Sequence, residues 1–419
     1  MTAVSARIAA QRFMLERFAK RPFIIAGNFS PPVADLDGIG DAVEMNAPQN
    51  PSPSLWSSSS TVRRKNVARV VEAWYVACPS ASLGKMMPVA SQVLGVPLAI
   101  WRIGSGQPAA VLDRCPHRNV PLSLGRVRPT SSLGGELECR YHGWRFDEGG
   151  RAVAVPGLPI VDGASIAGPG RCTDAYRVVE RDGFVWVWLS PKDPHTTTFP
   201  DPPRLAQLDD DKYTHIRMSM RVNATLHSTL ENILDVPHTS YLHGGLFRTD
   251  EKKNEIEVIV TRSQDGVVAE YVGEPRPEGI VGRVLSPSGG IVQHWDRFLM
   301  PSLAQVEYRI GDENHVVVTT VCTPVSETVT EMHTVASIKT RLPIGPLAAI
   351  AGPIAWRILA QDKEILEAQT KLVDRFGGDR FSSTTIDLLG PYILHLLKKA
   401  EQGQLEAAIV REERQRLRV

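Results

Sequence analysis

Four residues in two short segments carry the most distinctive chemistry of this 419-residue sequence. Cys115 and His117 lie two apart in DRCPHRNVPLS, and Cys139 and His142 lie three apart in ELECRYHGWRF. Each pair fits one tight loop, and the two loops together offer two thiolates and two imidazoles. That donor set can build a tetrahedral zinc site. It can equally build a [2Fe–2S] centre in which imidazoles replace the thiolates on one iron, making that iron less electron-rich and raising the reduction potential. In the second case the cysteines take one iron and the histidines the other.

A second constellation lies in LENILDVPHTSYLHGG, which holds Glu231, Asn232, Asp235, His238 and His243. Oxygen-activating Fe(II) sites need two imidazoles and one carboxylate on one face, with the opposite face left open. His238 and His243 can supply the imidazoles. Five residues of α-helix rotate by about 500°, so a helix here must distort or end between them, and Gly244-Gly245 are suitable terminators. Pro237 removes a backbone donor just before the first of the pair. Asp235, three residues before His238, shares its helical face and suits the task of holding that ring.

The flanks carry a family resemblance. C-P-H-R followed by C-x-Y-H-G-W resembles the Rieske signature, and N-x-x-D-x-x-H-x-x-x-x-H, matched at Asn232, Asp235, His238 and His243, resembles the catalytic-iron motif of Rieske non-haem iron oxygenases. The resemblance covers about residues 70–375. It implies a Rieske-type [2Fe–2S] cluster on Cys115, His117, Cys139 and His142, shielded by Pro116 and Trp144, with Gly143 letting backbone approach the sulfides. It also implies a mononuclear Fe(II) on His238, His243 and a late aspartate. QDKEILEAQ (361–369) resembles that late region; Asp362 is the choice there, with Glu364 and Glu367 as alternatives. One departure is visible: 21 residues separate His117 from Cys139, a few more than usual, and the extra length falls in RPTSSLGG, where it could shape docking of a reductase or a neighbouring subunit.

What the resemblance implies for activity is monooxygenation, by hydroxylation or oxidative demethylation, of an apolar ring-bearing small molecule with O2. D-x-P-H and Q-D-x-x-I-x-E-x-Q look more like the single-component branch, with its aromatic O-demethylases of the vanillate and dicamba type, tetrapyrrole and sterol oxygenases and arylamine oxygenases. Electrons would come from an NAD(P)H-dependent reductase, with or without a ferredoxin, since no FAD or NAD fingerprint lies in this chain. The family arrangement further implies a homotrimer in which Asp235 bridges His238 to His142 or His117 of the next subunit. Two other readings are arylamine N-oxygenation at the same centres and a non-catalytic Rieske electron-transfer protein, which would need only residues 70–195.

The elements around these motifs predict an α+β chain in three parts. Residues 1–65 read as an N-terminal helix (1–29) and a Pro/Ser-rich connector; residues 66–198 form a β-rich Rieske domain, with short runs such as PLAIWRI and GFVWVWL between turns. Residues 199–419 form the catalytic domain, which the resemblance makes a helix-grip (START-like) fold. Its β-like runs, HIRMSMRV, EIEVIVTR, GVVAEYV, HVVVTTVCTPV and HTVASIKTRL, come with candidate helices at 225–243 and about 353–376, which suggests an antiparallel sheet carrying helices. The five prolines of 191–205 mark the boundary.

Composition narrows the partners. With 47 basic and 46 acidic side chains, nothing advertises nucleic acid. The apolar stretch 342–356 is broken by Pro343, Pro346 and Pro353 and is too short to span a bilayer; it reads as core rather than as a surface resting on a membrane. Five scattered cysteines do not form a disulfide framework, so a reducing, cytoplasmic setting is expected, with Cys78, Cys172 and Cys322 as small buried hydrophobes. The basic segment 7–21 reads as an attached helix rather than a mitochondrial presequence, and no secretory signal is visible. His227 reads as a packing or pocket residue, while His195, His215, His294, His315, His333 and His395 have no metal-like companions in sequence.

Overall fold

A computed structural model describes residues 64–418 except 159–165, 167, 169, 191–198, 245–254, 275–291, 312–313, 341–343 and 406–409. The expected helix at 1–29, its connector, the 191–198 part of the proline-rich boundary, His195 and Gly245 all lie outside the described residues.

Ten strands build the first half: β1 (Ala73–Pro79), β2 (Val89–Val93), β3 (Val96–Arg102), β4 (Pro108–Leu112), β5 (Arg126–Pro129), β6 (Gly135–Glu138), β7 (Arg145–Phe146), β8 (Ala152–Ala154), β9 (Ala175–Arg181) and β10 (Phe184–Leu189). They form a six-stranded sheet, β1-β10-β9-β4-β3-β2, and a small sheet, β5-β6-β7-β8. β10, FVWVWL, is buried on both faces for most of its length, which explains its unbroken apolar run. Trp101 is fully buried between the sheets and donates from Nε1 to Gly135 O at 3.0 Å; truncating it to alanine costs about 3–5 kcal/mol.

The two sheets hold out two loops, one from β4 to β5 and one from β6 to β7. The inserted residues lie elsewhere. They form the turn of the β5–β6 hairpin, where Thr130 N donates to Gly134 O at 3.0 Å and Ser131 Oγ to Gly104 O at 2.5 Å. Gly104 belongs to the turn at the start of β4, whereas Cys115 follows its end. The hairpin tip therefore lies at the opposite end of β5 and β6 from the Cys/His loops.

The second half is one eight-stranded antiparallel sheet. Its members are β11 (Thr214–Val222), β12 (Glu255–Ser263), β13 (Gly266–Val272), β14 (Val292–Leu299), β15 (Leu303–Ile310), β16 (Asn314–Ser326), β17 (Val329–Lys339) and β18 (Arg411–Arg418), in the order β11-β17-β16-β15-β14-β13-β12-β18. β14 alternates buried and exposed along VQHWDRFL, as a strand with one covered face should. The edge strand β18, REERQRLR, is almost wholly charged and exposed, which discourages pairing with a further chain. The covered face packs against α1 (Leu226–Ile233), α3 (Ile344–Arg375) and α4 (Gly390–Glu401) through Leu230, Leu366, Ile393, Val258, Ala269 and Phe298.

Two helices differ from expectation. Residues 225–243 are not one helix. Thr225 caps α1 by accepting from Ser228 N at 3.1 Å; the helix ends at Ile233, and Asp235–Pro237 cross to a four-residue α2 (Thr239–Leu242). Pro237 cannot donate into a continuing helix, so the break falls before both histidines rather than between them. The second helix starts about nine residues earlier than expected, at Ile344, and carries Pro353 inside it. Pro346 in its first turn lacks an N–H that would have no partner there anyway.

The halves share a core. Thr323 Oγ1 donates to Val76 O at 2.7 Å, and Gly95 N donates to Val325 O at 2.9 Å. Val93 and Leu94 pack in the same cluster as Met332 and Leu226.

Candidate metal centres

The two Cys/His loops are built on one backbone template. Cys115 N donates to Val120 O at 2.9 Å and Asn119 N to Cys115 O at 2.8 Å; Cys139 N donates to Trp144 O at 2.8 Å and Gly143 N to Cys139 O at 3.0 Å. The fifth residue of each loop is left-handed, Asn119 at φ 59° and Gly143 at φ 70°. Asn and Gly are the residues that tolerate this conformation. Sequence reading singled out Gly143 but missed Asn119, whose side chain also accepts from Arg114 Nε at 2.8 Å.

Both thiols are buried at 2% exposure, and burial pushes the Cys115 thiol up to about 11. The rings of His117 and His142 lie 4.5 Å apart, and the Trp144 indole stacks on His117 at 4.9 Å with the planes 4° apart. His117 Nδ1 is buried and has no hydrogen-bond partner among the described residues. Desolvation, His142 and Arg118 all lower the His117 pKa, favouring the neutral ring that a metal needs. Two buried thiols, presented by the same two loops as a facing pair of imidazoles, one with an orphaned nitrogen, fit a [2Fe–2S] group bound by two cysteines and two histidines.

The second centre joins α2 to α3. His238 is the N-cap residue of α2 and His243 its C-cap residue, so the short helix holds one ring at each end. His238 Nδ1 donates to the Asp235 carbonyl, with Asp235 Oδ2 3.5 Å away. His243 Nδ1 donates to Gln361 Oε1 at 3.1 Å. These bonds leave Nε2 as the lone-pair nitrogen of each ring. The two Nε2 atoms are 3.3 Å apart, and Asp362 Oδ1 lies 3.5 Å from His238 Nε2 and 3.0 Å from His243 Nε2. Asp362 is buried, and its Oδ1 has no hydrogen-bond partner among the described residues. Among those residues this is also the group of His, Cys and carboxylate side chains that converges as a metal-ligand set.

The three side chains are also coupled electrostatically. Burial alone would lower the His238 imidazole, but the Asp235 and Asp362 carboxylates outweigh it and raise it to about 9. Burial would raise Asp362, but the two imidazoles hold it below its ordinary value. Two imidazoles and one carboxylate around a common point, with an orphaned carboxylate oxygen, fit a divalent iron of the two-histidine, one-carboxylate type.

Of the alternatives to Asp362, Glu364 is exposed, and Glu367 accepts from Asn223 N and Nδ2 at 3.2 and 2.9 Å. Asn232 and Asp235 line a cavity of about 230 Å³ together with His238, Glu231, Tyr271 and Asp387. Sequence reading missed Gln361 as a partner of His243 and left His294 without companions. His294 is fully buried, bonded through Nδ1 to Glu274 Oε2 at 2.7 Å and through Nε2 to Asp296 Oδ1 at 2.9 Å, between the rings of Tyr271 and Tyr308. Asp296 lies two residues along the same strand, where spacing could have signalled it; Glu274, just past β13, and the two tyrosines, on β13 and β15, are brought in by strand pairing, where spacing gives no signal.

A two-domain redox protein with a cluster site on a β domain and a mononuclear iron site on a helix-covered sheet is the class that these features define. Residues 73–163 match the family described as Rieske [2Fe-2S] domain, and residues 222–400 match the vanillate O-demethylase oxygenase C-terminal domain. The chain thus carries a Rieske [2Fe-2S] domain followed by a vanillate O-demethylase-type oxygenase C-terminal domain, a pair that takes a Rieske-type [2Fe–2S] cluster and a mononuclear iron.

Chlorophyllide a oxygenase of Chlamydomonas reinhardtii is 33% identical over 174 residues, 42% of this chain and 24% of that protein. The dicamba O-demethylase oxygenase component of Stenotrophomonas maltophilia is 32% identical over 230 residues, 54% of this chain and 63% of that protein. The chain thus spans less than two thirds of the length of either relative. The crystal structure of dicamba monooxygenase bound to dicamba shares the fold, with a TM-score of 0.65 at 24% identity over 80% of this chain and 99% of that one.

Proposed function

We propose that this chain is the oxygenase component of a Rieske monooxygenase system, which hydroxylates or oxidatively demethylates an apolar, ring-bearing small molecule. The observation that carries the reading is the convergence of His238, His243 and Asp362 in a chain that also holds the Cys115/His117/Cys139/His142 site. When bound, the two groups supply one-electron transfer and the reductive activation of O2.

The residues divide the work. Cys115 and Cys139 hold one iron of the cluster and His117 and His142 the other, while Trp144 covers the His117 ring. His238, His243 and Asp362 hold the mononuclear iron. Asp235 and Gln361 fix the ring orientations by accepting from the two Nδ1–H groups, which keeps each Nε2 available for metal. Asn232 lines the adjoining cavity. We place the domain boundary between β10 and β11, where the chain leaves one sheet for another.

Electrons are supplied from outside, by an NAD(P)H-dependent reductase with or without a ferredoxin. A homotrimer with Asp235 next to the neighbouring cluster is supported by two unlike surfaces of one chain. Arg118, Arg140 and Tyr141 are exposed beside His142, whereas the cavity at Asp235 is lined by Glu231 and Asp387 and edged by the exposed Ile365 and Ile386. Charge and apolar area are complementary. Among the described residues no helix is long and apolar enough to cross a membrane.

Metal analysis with single-turnover oxidation tests the reading. About three iron atoms per chain, and oxidation of at least one member of a panel of aromatics, sterols and arylamines by the reduced protein, are expected. About two irons and no product would indicate an electron carrier; zinc in their place would overturn the assignment.

A further inference from the structure

The cavity beside the iron triad is lined by three carboxylates, Glu231, Asp235 and Asp387, and none of its lining residues is Lys or Arg. Asp235 is engaged with His238. Asp387 is engaged with its own loop, accepting from Thr384 N at 2.5 Å and Thr384 Oγ1 at 3.2 Å. Glu231 has only the distant His227 ring as a partner among the described residues, and the fold has prepared a place for it. A side chain at position 390 would overlap Glu231 Oε1, so only glycine leaves the carboxyl room. The same Gly390 accepts at its carbonyl from His227 Nε2 at 2.8 Å. That bond fixes the His227 tautomer and leaves Nδ1 as a proton acceptor. His227 is 3% exposed, and its Nδ1 has no hydrogen-bond partner among the described residues and lies 4.0 Å from Glu231 Oε2.

We propose that Glu231 is the proton carrier of the reaction, taking protons from solvent on its exposed side and releasing them into the cavity that His238 and Asp235 line, with the His227 Nδ1 acceptor orienting its protonated carboxyl. The inference rests on the oxygenase reading above. That reaction joins substrate–H, O2, two electrons and two protons to give substrate–OH and water. O2 is reduced, the substrate C–H bond is replaced by C–OH, and each proton delivered leaves Glu231 as a carboxylate to be reloaded from solvent. The side chain of Glu231 is about one-third exposed and also forms cavity wall, so one group reaches both compartments.

The groups facing Glu231 set when it carries a proton. They are His227 on its own helix, Asp235 and His238 on the following turn, Tyr271 on β13, Gln369 on α3, and Asp387 and Gly390 at the start of α4. Burial, then Asp387 and Asp235, raise the Glu231 pKa to about 7. A carboxyl near that value can both give and regain a proton at neutral pH. A bound iron cation pulls the midpoint down from there.

The test uses the full chain. Infrared difference titration is expected to show a protonated-carboxyl band whose midpoint stays above the ordinary carboxylate range, and which is missing in Glu231→Gln. In single turnover, the wild-type rate falls as pH rises past the Glu231 midpoint and shows a solvent isotope effect. Glu231→Gln is expected to be roughly 100-fold slower, to lose both features and to release hydrogen peroxide, with iron content and cluster spectrum unchanged. Asp387→Asn removes a neighbouring charge, and is expected to move the infrared midpoint and the falling limb together to lower pH. Gly390→Ala displaces the carboxyl without deleting it and is expected to slow turnover.

Two results would overturn the role: the falling limb surviving in Glu231→Gln, or Asp387→Asn shifting the band but not the rate profile. Failure of the oxygenase reading looks different. In that case the wild-type chain, carrying about three irons, would consume no O2 with any reductant, and the proton role would fall with it.

Discussion

Nε2 of His243 lies 3.0 Å from Oδ1 of Asp362, so the end of a four-residue helix meets the middle of a thirty-two-residue one. This contact ties α2, which has too few residues to be stable alone, to the long helix that covers the sheet. The iron site is therefore also a joint of the fold. Asp362→Ala is expected to leave about two irons per chain, with the cluster's visible spectrum intact and turnover abolished. Retention of about three irons would assign the third ligand elsewhere.

Gln361 holds His243 in place through a 3.1 Å bond to Nδ1 without reaching the converging ligand atoms itself. Such orienting partners typically contribute 10–100-fold in metal affinity. Gln361→Leu is expected to weaken iron binding by about that factor, measured by competition with a chelator, while Gln361→Glu, which keeps an acceptor, restores most of it. Equal affinity in all three proteins would show that the packing of α2 alone sets the ring.

Asp235 accepts from His238 through its carbonyl, and its carboxylate stands 3.5 Å from the same nitrogen. Because backbone supplies the bond, Asp235→Ala is expected to keep the mononuclear iron and the cluster spectrum while abolishing turnover. Stopped-flow reoxidation of the reduced cluster by O2 and substrate would slow correspondingly. Full activity in this variant would remove Asp235 from any path between subunits.

His294 gives the chain an alkaline weakness. Burial opposes its charge, but Asp296 and Glu274 prevail and raise its pKa from 6.5 to about 9. A group whose folded pKa is raised binds its proton more tightly when folded. Its contribution is therefore complete below about 6.5 and fades as pH rises through about 9. Thermal unfolding midpoints should fall across that window. In His294→Gln the slope should flatten, with a loss of stability at neutral pH from removing the positive charge that faces two buried carboxylates.

The local motifs were legible because their geometry is local. Cys115 and His117, and Cys139 and His142, each sit within one five-residue turn closed by its own backbone bonds, so spacing and residue type suffice. Strands such as EIEVIVTR were legible from alternation, since one face of β12 is covered. The break in 225–243 was harder to read: Pro237 signals a break, but not that the helix has already ended at Ile233.

Position along the chain could not choose among Asp362, Glu364 and Glu367, which lie within two turns of one helix. Only the packing of α3 decided. It buries Asp362 against α2, leaves Glu364 in solvent and turns Glu367 toward Asn223. Gln361 at His243, Gly390 against Glu231 and Glu274 at His294 follow the same rule. Each contact depends on how a helix or strand is rotated against elements remote in sequence. The amino-acid sequence alone determined which donors each metal loop offers; the tertiary structure decided which distant side chains complete and orient them, because burial and rotation of packed elements are properties of the assembled core.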